Sequence, residues 1–373
     1  MKRMLFTVFV SLLAVCLFFC SRDQTESESP AYSINAVTPD SDGKTKILLY
    51  YDMEGISGVN KTEQVMFGNP EYETGREYLT RDVNAVIEGL FAGGADAVHV
   101  TDAHGSGNPN PDVILDKLDS RARMIFRDTP FMPYVDLPET EEYDAVAVVC
   151  MHAKTGSNGF MAHTGNFGCD WIINGKSITE TEIIAFSCGR FGIPVIFASG
   201  DDVLKEQLEY MGWMEYVTVK KSINFLDAEL IPLEAVHAEM REKAEAAVEN
   251  LESAKYMVFN EPLTAGLRTQ FPADLGILEG VPGIDYKDHA VAFHARTFRE
   301  AFDGIVELIH VARSGRQELM QEYLAQTEFG PEVSKGFREY MFNKFEEWIA
   351  GSWDPRAEPE KQDKKLQKYF GAR

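Results

Sequence analysis

The chain has 373 residues, 45% of them hydrophobic and 25% charged, a composition that describes a globular protein long enough for a substantial core. Its formal net charge of -23 excludes nucleic acid as a partner, because a phosphate backbone would be repelled rather than neutralised. No basic stripe offsets that charge.

Residues 1–20 stand apart from the fold. Lys2 and Arg3 precede an apolar core from Leu5 to Phe19, which is too short to span a membrane comfortably and reads as an export signal. Leu17-Phe18-Phe19-Cys20-Ser21 resembles a bacterial lipoprotein signal in which Cys20 is lipidated after cleavage, although the bulky Phe19 stands where a small residue is expected. The expected location is therefore the bacterial envelope, either periplasmic or anchored through a lipid on Cys20, with no other membrane contact. Residues 21–45, rich in Ser, Asp, Glu and Pro, cannot bury enough apolar surface to order themselves and read as a flexible tether.

From Lys46 onwards apolar runs alternate with helical patterns. Ile47 to Tyr51 is a short continuous run, and Leu79, Val83, Val86, Ile87, Leu90 and Phe91 then recur at helical spacing until Gly93-Gly94 stops the helix. Ala97 to Thr101, Ala145 to Met151 and Pro194 to Ser199 are further strands, and a helix carrying Ile183, Ile184 and Phe191 ends at Gly192. Runs apolar at nearly every position mark strands buried on both faces. Their alternation with helices predicts an α/β fold, a mostly parallel sheet flanked by helices.

The stretch from about Lys220 to Gly315 has a charged helix (Leu233 to Leu251), strands at Tyr256 to Phe259 and His289 to His294, and a helix from Phe298 to Arg313. It is either a smaller α+β portion or an extension of the same sheet. The catalytic domain is expected over residues 46–315, followed by a charged C-terminal helical extension over 316–373. There Phe337, Met341, Phe345 and Trp348 share one helical face, suited to docking on the core or on a neighbouring subunit. Cys150, Cys169 and Cys188 have no paired spacing and read as buried thiols.

The strand ends are what single out a function. The first ends in Asp52, with Glu54 just beyond; the second in Asp102, with His104 following. The third ends at Met151-His152 before a Gly-rich loop containing His163, and the fourth in Asp201 and Asp202. Ligands of an open parallel sheet bind outside the carboxyl ends of its strands, and here four strands deliver carboxylates and imidazoles to that edge. Each motif alone is weak, since Asp-x-Glu after a strand is commonly a turn with a helix cap and a lone His is commonly a hydrogen-bonded structural residue. Their convergence is harder to dismiss.

A mixed Asp/Glu/His set suits zinc or a similar divalent ion. The set is larger than one catalytic zinc needs, which leaves room for two ions about 3.5–4 Å apart sharing a carboxylate. In SITETEIIAFS, Thr179 and Glu182 fit a capping box, so Glu180 is the carboxylate left to project toward the same edge. His99, His237, His289, His294 and His310 lie in or beside predicted strands and helices and read as structural. The loop after His152 lacks the spacing and lysine of a phosphate cradle, and no GxSxG motif is present.

Together DMEGISG, TDAH, the His152 loop reaching MAHTGNFG, the ING…E helix and ASGDD resemble the bacterial D-aminopeptidase family of zinc metallopeptidases found in dipeptide-transport operons. The resemblance runs from about Lys46 to Gly315 with the same motif order and is strongest up to Asp202. It implies two zinc ions per chain held by Asp52, Glu54, His104, His152 and Glu180, with Asp52 shared between them. It also implies a catalytic role for His163, whether as nucleophile, general base or oxyanion stabiliser. The activity implied is removal of an N-terminal D-residue, typically D-alanine, from short peptides, by a protein that assembles into a ring-shaped homodecamer.

Three departures bear on this. An export signal stands where typical members are cytoplasmic, which makes envelope peptides such as peptidoglycan fragments the expected substrate. KSINFLDAELIP after Lys220 lacks the Gly-Arg of many members, which bears on substrate preference. The extra tail bears on ring assembly. Two rival functions remain, an envelope metallohydrolase acting on a different amide and a lipoprotein that binds its ligand through metal without turnover.

Overall fold

The computed structural model describes residues 30–38, 43–126 and 132–352, apart from the side chains at 314–316, 318 and 348. The export signal with Cys20, the first part of the tether and the end of the tail lie outside the described residues.

One element falls where a tether was expected. Tyr32–Ala36 (β1) pairs antiparallel with the segment Lys255–Phe259, Tyr32 opposite Phe259. Beside that ladder, Tyr32 meets Phe186 and Phe259 edge-on, with centroids 5.3 and 6.3 Å away.

Lys46–Tyr51 (β2) is buried at every residue from Ile47 onwards, as a strand covered on both faces must be. Tyr72–Ala92 (α1) runs to Gly93, as its spacing predicts, and Ala97–Asp102 (β3) and Arg123–Ile125 (β4) lie parallel beyond β2. After Pro133–Thr140 (α2), Ala145–Met151 (β5) joins β2 on its other side. Cys169–Ile173 (β6) and Lys176–Ile178 (β7) form a hairpin ahead of Glu180–Gly189 (α3). Val195–Asp201 (β8), Asp202–Leu208 (α4), Glu215–Asn224 (β9) and Asp227–Leu230 (β10) complete the main sheet. Its order is β10-β9-β8-β5-β2-β3-β4, parallel except for the β9–β10 hairpin.

Leu233–Glu249 (α5) packs along α1, and Lys255–Phe259 (β11) is the partner of β1. Leu263–Thr269 (β12), Asp285–Lys287 (β13) and Ala290–Ala295 (β14) form a second sheet with the earlier hairpin, in the order β13-β14-β12-β6-β7, all antiparallel. Both sequence alternatives for this region are therefore realised: β9 and β10 extend the main sheet, while β12 to β14 build a separate α+β portion with Phe298–Ala312 (α6). Ser314–Gln326 (α7) and Gly330–Ile349 (α8) close the described chain.

Alternation along β2 divides the core. Ile47, Leu49 and Tyr51 point into the layer shared with α1 and α5, whereas Leu48 and Tyr50 point into the layer shared with α3, the second sheet and α6. Cys150, Cys169 and Cys188 are buried thiols. Among the described residues no helix is long and apolar enough to cross a membrane.

Two features aim the chain at one place. The winding goes from β2 outward through β3 and β4, then returns to β5 on the opposite side of β2, so the crevice opens at the carboxyl ends of β2 and β5. Cys150 then breaks the alternation of β5: it sits at φ 63° with the ladder to β8 shifted around it, so Val149 and Cys150 both face the α1 layer. Such a bulge re-aims the residues after it, and here it directs His152 toward the crevice.

Candidate metal centre

The five residues that the family resemblance implied as ligands meet in that crevice. Asp52 and Glu54 follow β2, His104 follows β3, His152 follows β5, and Glu180 opens α3; all five are buried. Asp52 lies in the middle. Its Oδ1 is 2.8 Å from His104 Nδ1, which is 3.2 Å from Glu54 Oε2. Its Oδ2 is 3.3 Å from His152 Nε2, which is 3.6 Å from Glu180 Oε1. The carboxylate of Asp52 thus belongs to two trios, with Glu54 and His104 on one side and His152 and Glu180 on the other, the donor atoms of each within 4.8 Å of one another.

These residues suit a divalent cation, and the main chain shows why. His104 Nε2 lies 2.9 Å from the Val65 carbonyl and His152 Nδ1 lies 2.9 Å from the Ala153 carbonyl. A carbonyl can only accept, so each imidazole donates there; its other nitrogen faces the carboxylates, where it carries the second proton of an imidazolium or, with that proton displaced, turns a lone pair to a metal cation. Lone pairs facing carboxylate oxygens repel unless positive charge lies between them. Among the described residues Glu54 Oε2 and His152 Nε2, both buried, find no hydrogen-bond partner, an arrangement that costs free energy unless something else satisfies them.

The local field points the same way. Burial would lower the pKa of His152, but the Asp52, Glu180 and Glu54 carboxylates outweigh it and push the value up to about 10. Burial would raise Asp52, yet His104 and His152 hold its carboxyl well below the usual range. The cluster favours positive charge, and its mixed carboxylate and imidazole donors are those of zinc.

His163 arrives differently. Its ring stacks on that of His152, centroids 4.1 Å apart, and it is the most exposed of the six at 15% of its side-chain surface. Nδ1 donates to the Met161 carbonyl at 2.7 Å, leaving Nε2 3.8 Å from Glu180 Oε1. Burial and the neighbouring His152 lower its pKa. His163 also forms a possible donor trio with Glu54 and His152, so geometry admits both a catalytic and a ligand role.

Glu180 and Glu182 divide as the capping-box argument expects. Thr179 Oγ1 accepts from Glu182 N at 3.0 Å and Glu182 Oε2 accepts from Thr179 N at 2.7 Å, while Glu180 accepts from Gly165 N and from the Tyr134 hydroxyl, both at 2.7 Å. Asp201 and Asp202 stay out of the cluster. Asp201 caps α4 and accepts from Ser222 Oγ, and Asp202 accepts from Ser222 N. Asp102 is also a support: its oxygens accept from His104 N and Asp112 N.

Sequence reasoning missed two such supports. Tyr134 holds Glu180, and the fully buried Lys220 donates to the carbonyls of Glu54 and Val59 at 2.6 Å each. Neither carried a local signal, because each meets its partner only through the tertiary fold. His237 is structural, as read from the sequence. Its Nε2 is 2.8 Å from Asp82 Oδ1, and the other Asp82 oxygen accepts from Ser57 N, which ties α5 and α1 to the turn after Glu54.

A sequence profile of a family described as D-aminopeptidase matches residues 45–306. The chain is 28% identical over 275 residues to the D-aminopeptidase of Bacillus subtilis strain 168, which spans 72% of this chain and 97% of that protein. It also superposes, with a TM-score of 0.66 at 25% identity, on the solved Zn-dependent D-aminopeptidase DppA from Bacillus subtilis, described as a self-compartmentalizing protease. That match covers 72% of this chain and 98% of the other.

Proposed function

The chain belongs to the D-aminopeptidase family of metallopeptidases, and on that premise we propose that it is an exported, two-zinc enzyme removing N-terminal D-residues, D-alanine-like, from short peptides of the bacterial envelope, including peptidoglycan fragments. The observation that carries the dinuclear reading is the position of Asp52, whose two oxygens each belong to a separate trio of donors. Asp52, Glu54 and His104 would hold one ion; Asp52, His152 and Glu180 would hold the other. Bound zinc supplies Lewis acidity toward the scissile carbonyl and acidifies a water at neutral pH.

This chain's residues do the rest. Val65 and Ala153 fix the tautomers of His104 and His152. Tyr134 and Gly165 N hold the Glu180 carboxylate in its orientation. His163 is kept neutral by its depressed pKa, so Nε2 can take a proton from the attacking water and hand it to the departing amine. Phe167, tilted against His163 with centroids 4.7 Å apart, forms an apolar side to that proton path.

Elemental analysis of protein purified without chelators should find about two zinc ions per chain. Asp52→Ala should lose both, and Glu54→Ala should keep one largely in place. One ion or none, with full activity, would overturn the dinuclear reading. A panel of D- and L-aminoacyl dipeptides and non-peptide amides tests the substrate class, with hydrolysis of only the last rejecting the peptidase reading. Export rests on Lys2, Arg3 and the Leu5 to Phe19 core; finding the native protein in the cytoplasm with Met1 retained would reject it, and Cys20→Ser should release it from membranes if Cys20 is lipidated. By the likeness to a self-compartmentalizing relative, the chain assembles as a homo-oligomer, with the decameric ring implied by the family as its expected form.

A further inference from the structure

The metal-centre crevice opens into a pocket of about 700 Å³, within the range that holds small ligands. Its floor includes Asp52, Glu54, His104 and Glu180, but the opposite wall is not part of the family match. Arg313, Gln317, Met320 and Gln321 line it from α7 and the residue before α7, and Phe337 adds a ring from α8. The first four are spaced i, i+4, i+7 and i+8, one face of a helix. The family profile ends at residue 306, so this wall belongs to the C-terminal addition.

The main chain of Arg313 is anchored where it meets the pocket. It caps α6, its N–H donating to the Ile309 carbonyl at 3.1 Å, while the preceding Ala312 carbonyl accepts from Asp274 N at 3.0 Å. It is also the sole Arg or Lys among the described residues lining the pocket. A guanidinium recognises a carboxylate through charge-assisted, often bidentate hydrogen bonds.

We propose that Arg313, assisted by the amides of Gln317 and Gln321, binds the C-terminal carboxylate of the substrate, so that the C-terminal hairpin makes this enzyme selective for very short peptides with a free carboxyl end. The inference rests on the aminopeptidase reading. An aminopeptidase cleaves the first bond, so the N-terminal residue lies at the floor and the rest of the peptide runs toward the mouth. Each further residue adds at most about 3.3–3.6 Å of reach. On this proposal a dipeptide or tripeptide presents its carboxylate inside the pocket, whereas a longer chain carries it past the wall.

The test compares D-alanyl-D-alanine with its C-terminal amide on the zinc-loaded full chain, by steady-state kinetics and by calorimetric binding of both compounds. The wild type should favour the free acid by about 10–100-fold in kcat/KM, the range of a hydrogen bond to a charged group. Arg313→Met should erase that preference by raising KM for the acid, with the amide unchanged within about twofold. Arg313→Lys should restore part of it. Gln317→Glu, on the same face, should penalise the acid alone and serves if Arg313→Met fails to fold. Equal losses on acid and amide, or no preference in the wild type, overturn the proposal. If the wild type hydrolyses no D-aminoacyl compound, the aminopeptidase reading fails. The carboxylate subsite then stands or falls on whether calorimetry separates acid from amide in the wild type and not in Arg313→Met.

Discussion

His152 and His163 lie in nearly parallel planes, 12° apart, yet the chain treats them differently. His152 is embedded in carboxylates that raise its pKa, while His163 stands at the pocket wall with a lowered one. A buried imidazole among donor carboxylates is equipped to hold a cation; a neutral one beside open space is equipped to move a proton. His163→Ala should therefore reduce turnover by about 10²–10⁴-fold, the usual worth of acid–base catalysis, while metal content and melting temperature stay as in the wild type. If the variant loses metal, its membership of the trio with Glu54 and His152 is the role that matters and the proton-transfer assignment is wrong. His104→Ala is the control, expected to lose metal and activity together.

At the scale of elements, the turn after β2 shows how closely two strand ends are joined. Asp52 N donates to the Val149 carbonyl and Gly55 N to the Cys150 carbonyl, and a Cβ on Gly55 would collide with the Met151 carbonyl oxygen. That approach sets the spacing between Asp52 and His152. The amino-terminal strand is a different kind of element, since it touches no ligand but covers β11 and the ring of Phe259. A chain begun at Pro30 should match the full-length protein in stability, whereas one begun at Lys44 should lose about 2–5 kcal/mol through the exposed aromatic contacts and the open strand edge. Equal urea midpoints for the two would show that β1 contributes nothing.

β1 was missed because its burial is partial and alternating, so a Ser- and Asn-containing pentapeptide carries no long apolar run. β2, β3, β5 and β8 were legible for the opposite reason, being buried at almost every residue. The second sheet was only partly legible. β6 follows a glycine-rich loop, and β12 alternates buried and exposed residues at its ends. In the site, Asp52, Glu54, His104 and His152 were visible as candidates at strand ends and Glu180 at a helix start, and the family resemblance picked them out as the ligand set. Asp201 and Asp202 do stand at the end of β8 as read from the sequence, but there they serve as helix cap and loop support rather than as ligands. Tyr134, Lys220 and Arg313 act across separations that no local pattern records; the bond from Lys220 to Glu54 spans 166 residues.

Over the whole molecule, charge and apolar surface pull in opposite directions. A net charge of -23 favours dispersed monomers through mutual repulsion. Yet α8 exposes Val333, Phe337 and Met341 at 47, 66 and 46% of their surface, and their spacing of four places them on one face. The sequence offered a face through Phe337 and Met341 for docking on the core or on a neighbour; sizeable apolar patches mark interaction surfaces, so a second copy is its expected cover under the proposed assembly. Repulsion between acidic subunits is screened by salt and apolar contact is not weakened by it. The assembled fraction, measured by light scattering on the full chain, should therefore rise as ionic strength goes from about 0.05 to 0.5 M. Met341→Glu adds a charge to the stripe without touching the pocket, and should shift the population toward smaller species with zinc content unchanged. A wild-type protein that stays monomeric across that salt range would overturn the proposed assembly while leaving the metal centre, complete within one chain, as it is.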